Sequence, residues 1–181
     1  MPVQEKNMPA CEVVGFIGRL QWLGIEIWID GGWGVDVLLG RQTRPHRDLD
    51  IVILDQDFVR ARAMLEESRF RDIPRDDTSP WNFILGDDQG HEIDFHVIGF
   101  DAKGNGILGP PERGSIYPAG SLTGCGTIAG VAVQCIEPRH LIAFHTGYSL
   151  RETDFRDVSA LCERFGIELP PEYARFRTPL T

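Results

Sequence analysis

The sequence predicts an α+β domain in which helices pack against a small mixed β-sheet. Helical and strand patterns alternate along the first half of the 181 residues, and a hairpin and two helices follow. The composition, 42% hydrophobic and 25% charged residues, is that of an ordinary globular protein. A chain of this length can bury a core without disulfides or a structural metal.

Glycines and alternating side chains define the elements up to residue 98. Gly24 and Gly40 each follow a stretch with helical periodicity, which is typical of a helix C-terminus. Alternation along the DLDIVIL segment puts Asp48 and Asp50 on one face of a strand. In chain order the predicted elements are a helix (residues 9–23), a strand (26–30), a Gly-Gly turn (31–32), a helix (33–39), a strand (48–54), a helix (57–68) and two strands (81–85 and 91–98).

The second part of the chain begins with residues 101–124, which are rich in Gly and Pro and predict loop with brief extended pieces. Residues 127–136 predict a β-hairpin. Two helices follow, one from Pro138 to about residue 148 and one over residues 152–165.

Charge and cysteine usage limit the classes of partner. The formal net charge is −9, whereas a nucleic-acid binder needs a basic surface, so no polynucleotide partner is expected. The four cysteines have no metal-ligand spacing and predict reduced thiols. The sequence has no apolar run of the roughly 20 residues that cross a bilayer, and residues 1–10 lack the apolar core of a secretory signal. We therefore expect a cytoplasmic protein without a membrane partner.

The Asp-x-Asp pair at residues 48 and 50 is the strongest local signal. Two carboxylates at positions i and i+2 of a strand point the same way, and their burial together is unfavourable because like charges repel. A divalent cation such as Mg²⁺ removes that penalty. The alternative is an exposed strand with a solvated acidic face.

Glycines and a basic loop flank the acidic strand. Gly31 and Gly32 lie between a strand and a helix, where backbone N–H groups can approach a phosphate. The loop that follows the helix supplies Arg44 and His46, which can neutralise a triphosphate. The alternatives are a simple tight turn and a solvated loop.

A second polar strand face lies in the HEIDFH segment, residues 91–96. Alternation places Glu92, Asp94 and His96 together. If this strand lies beside the Asp-x-Asp strand, Asp94 completes a carboxylate triad that binds two metal ions about 3.5–4 Å apart. Asp94 is then the natural general base for an acceptor hydroxyl. A surface hairpin with a polar face is the alternative.

Three blocks resemble a known family. The stretch WIDGGWGVDVLLGRQTRPHRDLDI, residues 28–51, resembles the antibiotic nucleotidyltransferases that inactivate lincosamides and, less closely, the aminoglycoside 2″-adenylyltransferases. The segments HEIDFHVI and FHTGYSLRETDFRDV, residues 91–98 and 144–158, are similar to the same group. Both groups belong to the DNA polymerase β-like nucleotidyltransferase superfamily.

The resemblance implies a nucleotidyltransferase fold with a core over residues 1–136 and a C-terminal helical segment, residues 137–181, in the same compact unit. It implies that Mg²⁺, as two ions, and ATP or another nucleoside triphosphate are required. The implied metal ligands and catalytic residues are Asp48, Asp50 and Asp94; the implied nucleotide-binding residues are Gly31, Gly32 and Trp33, with Arg44 and His46. Many superfamily members carry Ser where this chain has Trp33, which leaves more of the phosphate binding to Arg44 and His46.

The C-terminal block carries further candidates for the nucleotide or acceptor pocket. These residues are His145, Tyr148, Glu152 and Asp154, to which His96 is added from the second polar strand. Helix capping by Asp154 and packing of Tyr148 are alternatives, and His96 is either a partner of the site carboxylates or a core histidine.

The implied activity is transfer of AMP from ATP to a hydroxyl of a small molecule, with a lincosamide as the first candidate acceptor. Adenylylation of an aminoglycoside, a regulatory or toxin–antitoxin-type module that acts on a protein, and an unknown metabolite acceptor are the alternatives. An acceptor pocket with apolar walls favours a lincosamide, and one with several acidic residues favours an aminoglycoside. Small members of the family are often homodimers, and the resemblance extends that expectation to this chain.

Overall fold

The computed structural model describes residues 7–112 and 114–177 and has the α+β architecture that the sequence predicts. Two 3₁₀ turns, Ser121–Thr123 and Pro171–Phe176, supplement the regular elements. In chain order these elements are α1 (Ala10–Trp22), β1 (Ile27–Ile29), α2 (Gly31–Leu39), β2 (Leu49–Leu54), α3 (Asp55–Glu67), β3 (Arg71–Ile73), β4 (Asn82–Gly86), β5 (Glu92–Phe100), β6 (Gly106–Leu108), β7 (Ser115–Tyr117), β8 (Gly124–Ile128), β9 (Val131–Cys135), α4 (Pro138–Phe144) and α5 (Glu152–Phe165).

A mixed sheet joins all of these strands. Its main path runs β3-β4-β5-β2-β1-β9-β8, and β6 and β7 extend it from β5. Strand β2 is antiparallel to β1 but parallel to β5. In the parallel pair Asp50 stands opposite Asp94, so the two side chains emerge on the same face of adjacent strands.

Helix α2 lies at the centre of the core. Six of its nine residues are buried, and Gly34 allows close packing because a Cβ there would lie 3.1 Å from the carbonyl oxygen of Ile29. Helix α5 packs against α2 and α4. Helix α1 buries its apolar side chains in the same core; these are Val13, Phe16, Ile17 and Leu20. In the part of the chain that the structure describes, no helix is long and apolar enough to span a bilayer.

Three helix ends differ from the sequence prediction by two residues or more. Helix α2 begins at Gly31 instead of residue 33, because the side chain of Asp30 caps it by accepting the Gly31 N–H at 2.8 Å. The two glycines are therefore the first helical turn and do not form a separate turn. Helix α3 begins two residues early, at Asp55. Helix α4 ends at Phe144, and Gly147 nearby has a positive φ of 84° that no helix continues through.

Candidate active site

Three side chains from β2 and β5 form a compact polar cluster. Asp50, Asp94 and His96 each offer one ligand atom, and these atoms all lie within 4.8 Å of one another. The parallel register of β2 and β5 creates the cluster, because it aligns Asp50 with Asp94 and places His96 two residues further on the same face. Asp94 is buried, and Asp50 and His96 are half-buried.

The cluster carries more negative charge than its surroundings stabilise. Burial, together with the charges of Asp48 and Asp94, raises the pKa of Asp50 to about 7. Burial also raises the pKa of Asp94, although His96 and Arg75 oppose it. Burial disfavours the charged imidazole of His96, but contact with Asp30 and the charges of the neighbouring carboxylates raise its pKa to about 9. A bound cation would stabilise the ionised forms of Asp50 and Asp94 and so lower their pKa values.

Asp48 lies near the compact cluster but is not one of its members. Its charge raises the pKa of both Asp50 and Asp94, which places it within electrostatic reach of the two. It does not contribute a ligand atom to the group that lies within 4.8 Å. Of the three carboxylates predicted from sequence, the structure therefore brings Asp50 and Asp94 into the tightest approach, with Asp48 at the edge.

A chain of hydrogen bonds from Asp30 through Tyr117 orients the ring of His96. The Tyr117 hydroxyl lies 2.8 Å from Nδ1 of His96 and 3.1 Å from Oδ2 of Asp30. Burial acts against ionisation of Asp30, but contacts with His96 and the Gly31 N–H hold its pKa below the usual value. Because an ionised carboxylate only accepts, Tyr117 donates to Asp30 and accepts from Nδ1–H of His96. This chain directs Nε2 of His96 towards Asp94, 3.9 Å away.

Sequence reasoning did not single out Asp30 or Tyr117. An Asp directly before a helix is a recognisable N-cap signal, so the role of Asp30 could have been predicted from the sequence. The role of Tyr117 could not, because it lies in the Gly- and Pro-rich stretch that carries no periodic pattern.

The start of α2 leaves no room for side chains beside the cluster. A Cβ on Gly31 would lie 2.1 Å from Oδ2 of Asp50, and the φ of Gly31 is +56°. A Cβ on Gly32 would lie 2.6 Å from Nδ1 of His46 and 2.7 Å from Nη2 of Arg44. Glycine at both positions is what lets these polar groups close over the helix N-terminus.

Arg44, His46 and Trp33 are held by other protein groups. Nη2 of Arg44 lies 2.8 Å from Oδ2 of Asp157 on α5, and about a third of the Arg44 side chain is exposed. His46 is buried; its Nε2 contacts Asp36 and its ring lies against Trp33, with ring centroids 4.7 Å apart. Arg44 is thus partly exposed beside Gly32, whereas His46 and Trp33 are buried. A role of His46 and Trp33 in nucleotide binding stays a prediction from the sequence.

A cavity of about 330 Å³ opens from the cluster. It includes His145 and Tyr148, so these two predicted residues share one space with His96. Its lining consists of Asp30, Gly31, Asp50, His96, Leu108, Ser115, Ile116, Tyr117, Phe144, His145 and Tyr148. A larger apolar cavity of about 630 Å³ lies between α1 and the β8–β9 hairpin and has none of the clustered residues in its lining.

Two predicted pocket residues lie elsewhere. The side chain of Glu152 is exposed at the start of α5, where its Oε1 is 3.5 Å from Nε of Arg156. Asp154 is buried and accepts hydrogen bonds from the Arg151 backbone N–H at 2.7 Å and from its guanidinium. Asp154 therefore has the helix-capping geometry that the sequence left open as an alternative. Neither Glu152 nor Asp154 lines this cavity, and their role in acceptor binding stays a prediction.

Arg75 is a site residue that sequence reasoning missed. It lies in the loop between β3 and β4, and its Nη1 and Nη2 reach Oδ2 and Oδ1 of Asp94 at 2.8 and 3.3 Å. One arginine in a polar loop gives no sequence signal, because the contact depends on where the loop folds.

An acidic pair on adjacent strands of a mixed sheet, next to a helix that begins with two glycines, is the arrangement that the sequence resemblance to nucleotidyltransferases implies. The family model of the aminoglycoside-2''-adenylyltransferases matches residues 13–161, and the chain belongs to that family.

Similar proteins agree with this assignment. A lincosamide resistance protein of Staphylococcus haemolyticus is 28% identical over 159 residues, which cover 88% of this chain and 98% of that protein. The crystal structure of the lincosamide antibiotic adenylyltransferase LnuA bound to lincomycin matches with a TM-score of 0.74 and 28% identity over 86% of this chain and 97% of that one. The structure of ANT(2")-Ia in complex with adenylyl-2"-tobramycin shares the fold, with a TM-score of 0.65 and 20% identity over 92% of both chains.

Proposed function

We propose that this nucleotidyltransferase is a Mg²⁺-dependent adenylyltransferase that transfers AMP from ATP to a hydroxyl of a lincosamide antibiotic. The observation that carries the proposal is the cavity that Asp50 and His96 of the cluster line. Its walls away from the carboxylates are mostly apolar and aromatic: Leu108, Ile116, Tyr117, Phe144 and Tyr148. Such walls suit a lincosamide better than a polycationic sugar.

The residues of the cluster suit magnesium. Mg²⁺ prefers carboxylate oxygens combined with substrate phosphates. Burial, and then the neighbouring carboxylates, raise the pKa values of Asp50 and Asp94, and a bound cation would favour their ionised forms. We assign Asp48, Asp50 and Asp94 as the groups that hold two Mg²⁺ ions, with His96 beside them. When bound, Mg²⁺ neutralises phosphate charge and lowers the pKa of the attacking hydroxyl.

The chain's own residues supply positioning and proton transfer. We place the triphosphate at the start of α2, next to Gly31 and Gly32, where Arg44 contributes positive charge. Asp94 accepts the proton of the acceptor hydroxyl, whose oxygen attacks the α-phosphorus. The bond from the α-phosphorus to the bridging oxygen of pyrophosphate breaks, so AMP remains on the acceptor and pyrophosphate leaves.

An aminoglycoside is the second candidate acceptor. Asp30 and Asp50 form an acidic end of the cavity, and the net charge of −9 favours a polycationic drug electrostatically. The family name and the tobramycin derivative in the ANT(2")-Ia structure point in the same direction.

Pyrophosphate release with ATP and Mg²⁺ tests the proposal against a panel of lincosamides and aminoglycosides, with mass detection of the adenylylated product. We expect product with lincomycin and clindamycin and none with the Asp50→Asn variant. If only tobramycin or kanamycin were adenylylated, the acceptor would be an aminoglycoside and the lincosamide assignment would be wrong. Pyrophosphate release with no member of the panel would reject antibiotic adenylylation.

Several further features complete the proposal. We place the reaction in the cytoplasm, where ATP is available, and we expect no nucleic-acid partner. We treat residues 137–181 as a helical part of the same unit as residues 1–136, which is consistent with the packing of α5 on α2. A homodimer remains our expectation for the solution state, which light scattering will test.

A further inference from the structure

Arg75 donates hydrogen bonds to both carboxylate oxygens of Asp94, the predicted general base and metal ligand. Its two terminal nitrogens contact both oxygens of Asp94, and Asp94 is almost fully buried whereas about a third of the Arg75 side chain is exposed. A bidentate guanidinium contact is among the stronger charged interactions in proteins. The guanidinium therefore stabilises the carboxylate that the proposed chemistry needs free to accept a proton.

A second acidic partner lies within the loop of Arg75. Nε of Arg75 is 3.2 Å from Oδ1 of Asp77 without forming a hydrogen bond to it, and the side chain of Asp77 is 67% exposed. The loop backbone is anchored independently, since Oγ1 of Thr78 accepts the Arg75 N–H at 2.9 Å. The guanidinium can consequently leave Asp94 and pair with the nearby Asp77 without unfolding the loop.

We propose that Arg75 is the counter-ion of the metal-free site, and that its guanidinium moves from Asp94 to Asp77 when a divalent cation binds. Arg75 is a positioning residue in this scheme, because it acts on the reaction through Asp94. The proposal rests on the metal-binding role of the cluster stated under the proposed function.

Charge competition is the physical reason for the exchange. A guanidinium and a divalent cation at the same carboxylate repel each other over a few ångströms, and both require the same oxygen lone pairs. Without metal, Arg75 balances part of the negative charge of Asp48, Asp50 and Asp94. With metal bound, that charge is already neutralised and the contact loses most of its benefit.

Direct titration of the full-length protein with Mn²⁺, followed by calorimetry or by the spin resonance of the free ion, tests this inference without any substrate. Arg75→Gln is expected to tighten Mn²⁺ binding by roughly tenfold, since it removes a positive charge a few ångströms from the ion. Arg75→Lys keeps the charge and should bind Mn²⁺ within about twofold of the wild type. Asp77→Asn should weaken binding by about twofold to threefold, because the displaced guanidinium loses an exposed partner.

Thermal unfolding adds a second readout. In EDTA, Arg75→Gln should unfold a few degrees below the wild type, and saturating Mn²⁺ should remove that difference. Arg62→Gln is the matched control: Arg62 also pairs with two carboxylates, Glu66 and Asp72, but these lie outside the cluster. Its Mn²⁺ affinity should equal that of the wild type.

Equal or weaker Mn²⁺ binding by Arg75→Gln would overturn the counter-ion role, whatever the fate of the transferase activity. The Asp50→Asn variant separates the two levels of the argument. If Asp50→Asn binds Mn²⁺ as well as the wild type does, the cluster is not the metal site, and both the Arg75 inference and the metal part of the proposed function fail.

Discussion

At the scale of single residues, Gly31 is the point where the helix and the acidic strand come closest. Replacement by Ala would put a Cβ 2.1 Å from Oδ2 of Asp50 at a φ of +56°. We expect Gly31→Ala to lose about 2–4 kcal/mol of unfolding free energy and nearly all transfer activity, because Asp50 must move.

Gly24→Ala is the matched control for that substitution. Gly24 has a similar φ of +68°, but a Cβ there meets nothing within 4 Å. It should cost only about 1 kcal/mol of backbone strain and leave activity intact. Chemical denaturation together with pyrophosphate release measures both effects. A Gly31→Ala variant as stable and active as Gly24→Ala would contradict the close approach.

The raised pKa of Asp50 predicts a pH-dependent stability of the metal-free protein. Its pKa of about 7 lies above the usual value of 3.8, so the stability linked to its protonation is present below pH 3.8 and is lost as the pH rises through 7. In EDTA, Asp50→Asn should therefore unfold at a higher temperature than the wild type at pH 8, and the difference should shrink towards pH 5.

Asp88→Asn, in the exposed turn between β4 and β5, is the control for this pH series. Its difference from the wild type should stay constant across the range. Transfer by Asp50→Asn should be absent at every pH, which would show the same carboxylate to be unfavourable for the fold and necessary for the reaction. A pH-independent difference for Asp50→Asn would contradict the burial of its charge.

At the scale of elements, the sequence predicted those with strong local patterns. The bounds of α5 follow from its apolar stripe and from Gly166, whose positive φ of 63° ends the helix. Strands β3, β6 and β7 have three residues each, too few for a periodic pattern. Strands β3 and β6 pair with the longer β4 and β5, and β7 in turn pairs with β6. The start of α2 was misplaced because two glycines suggested a turn, whereas the Asp30 cap makes them helical.

Asp154 gives a prediction for the start of α5. Burial opposes its ionisation, but hydrogen bonds from Arg151 hold the pKa of Asp154 below 3.8, so its stabilisation is present above that pH and is lost below it. Asp154→Ala should destabilise the protein by about 1 kcal/mol at pH 7, as expected for loss of a cap, and by less as the pH falls below 3.8.

Glu152→Ala serves as the control for Asp154→Ala, because the Glu152 side chain is exposed and pairs with the likewise exposed Arg156. It should change stability by less than about 0.5 kcal/mol. Urea unfolding at several pH values measures both variants. Equal effects of the two would argue that Asp154 is not the cap.

At the scale of the whole molecule, the two acidic strands were predictable and the cavity was not. Alternation placed Asp50 and Asp94 on polar strand faces, and the pairing of β2 with β5 then joined them. The opposite wall comes from β6, β7 and the end of α4, where Leu108, Tyr117 and Phe144 meet. That wall depends on how a Gly- and Pro-rich stretch folds back on the sheet, which involves contacts distant in sequence.

Arg44 connects the start of α2 to the C-terminal helix α5. It is 113 residues from Asp157 in sequence, and the Asp157 side chain is only 5% exposed. Arg44 therefore has two separable roles in our interpretation: it compensates a buried carboxylate of α5, and it offers charge to the triphosphate beside Gly32. A double-mutant cycle distinguishes the two roles because only the first depends on Asp157.

Arg44→Gln should lower the unfolding free energy by about 1 kcal/mol, a modest value because a third of the Arg44 side chain is solvated. It should also raise KM for ATP by about tenfold, since one charge-assisted phosphate contact is lost. Asp157→Asn in the same chain should restore most of the stability, because no buried charge is left unpaired, yet KM for ATP should stay high. The cycle consists of the wild type, the two single variants and the double variant, each measured by urea unfolding and by steady-state kinetics. If KM recovers together with stability, Arg44 supports the fold and contributes nothing directly to nucleotide binding, and the triphosphate must be held by other groups at the start of α2.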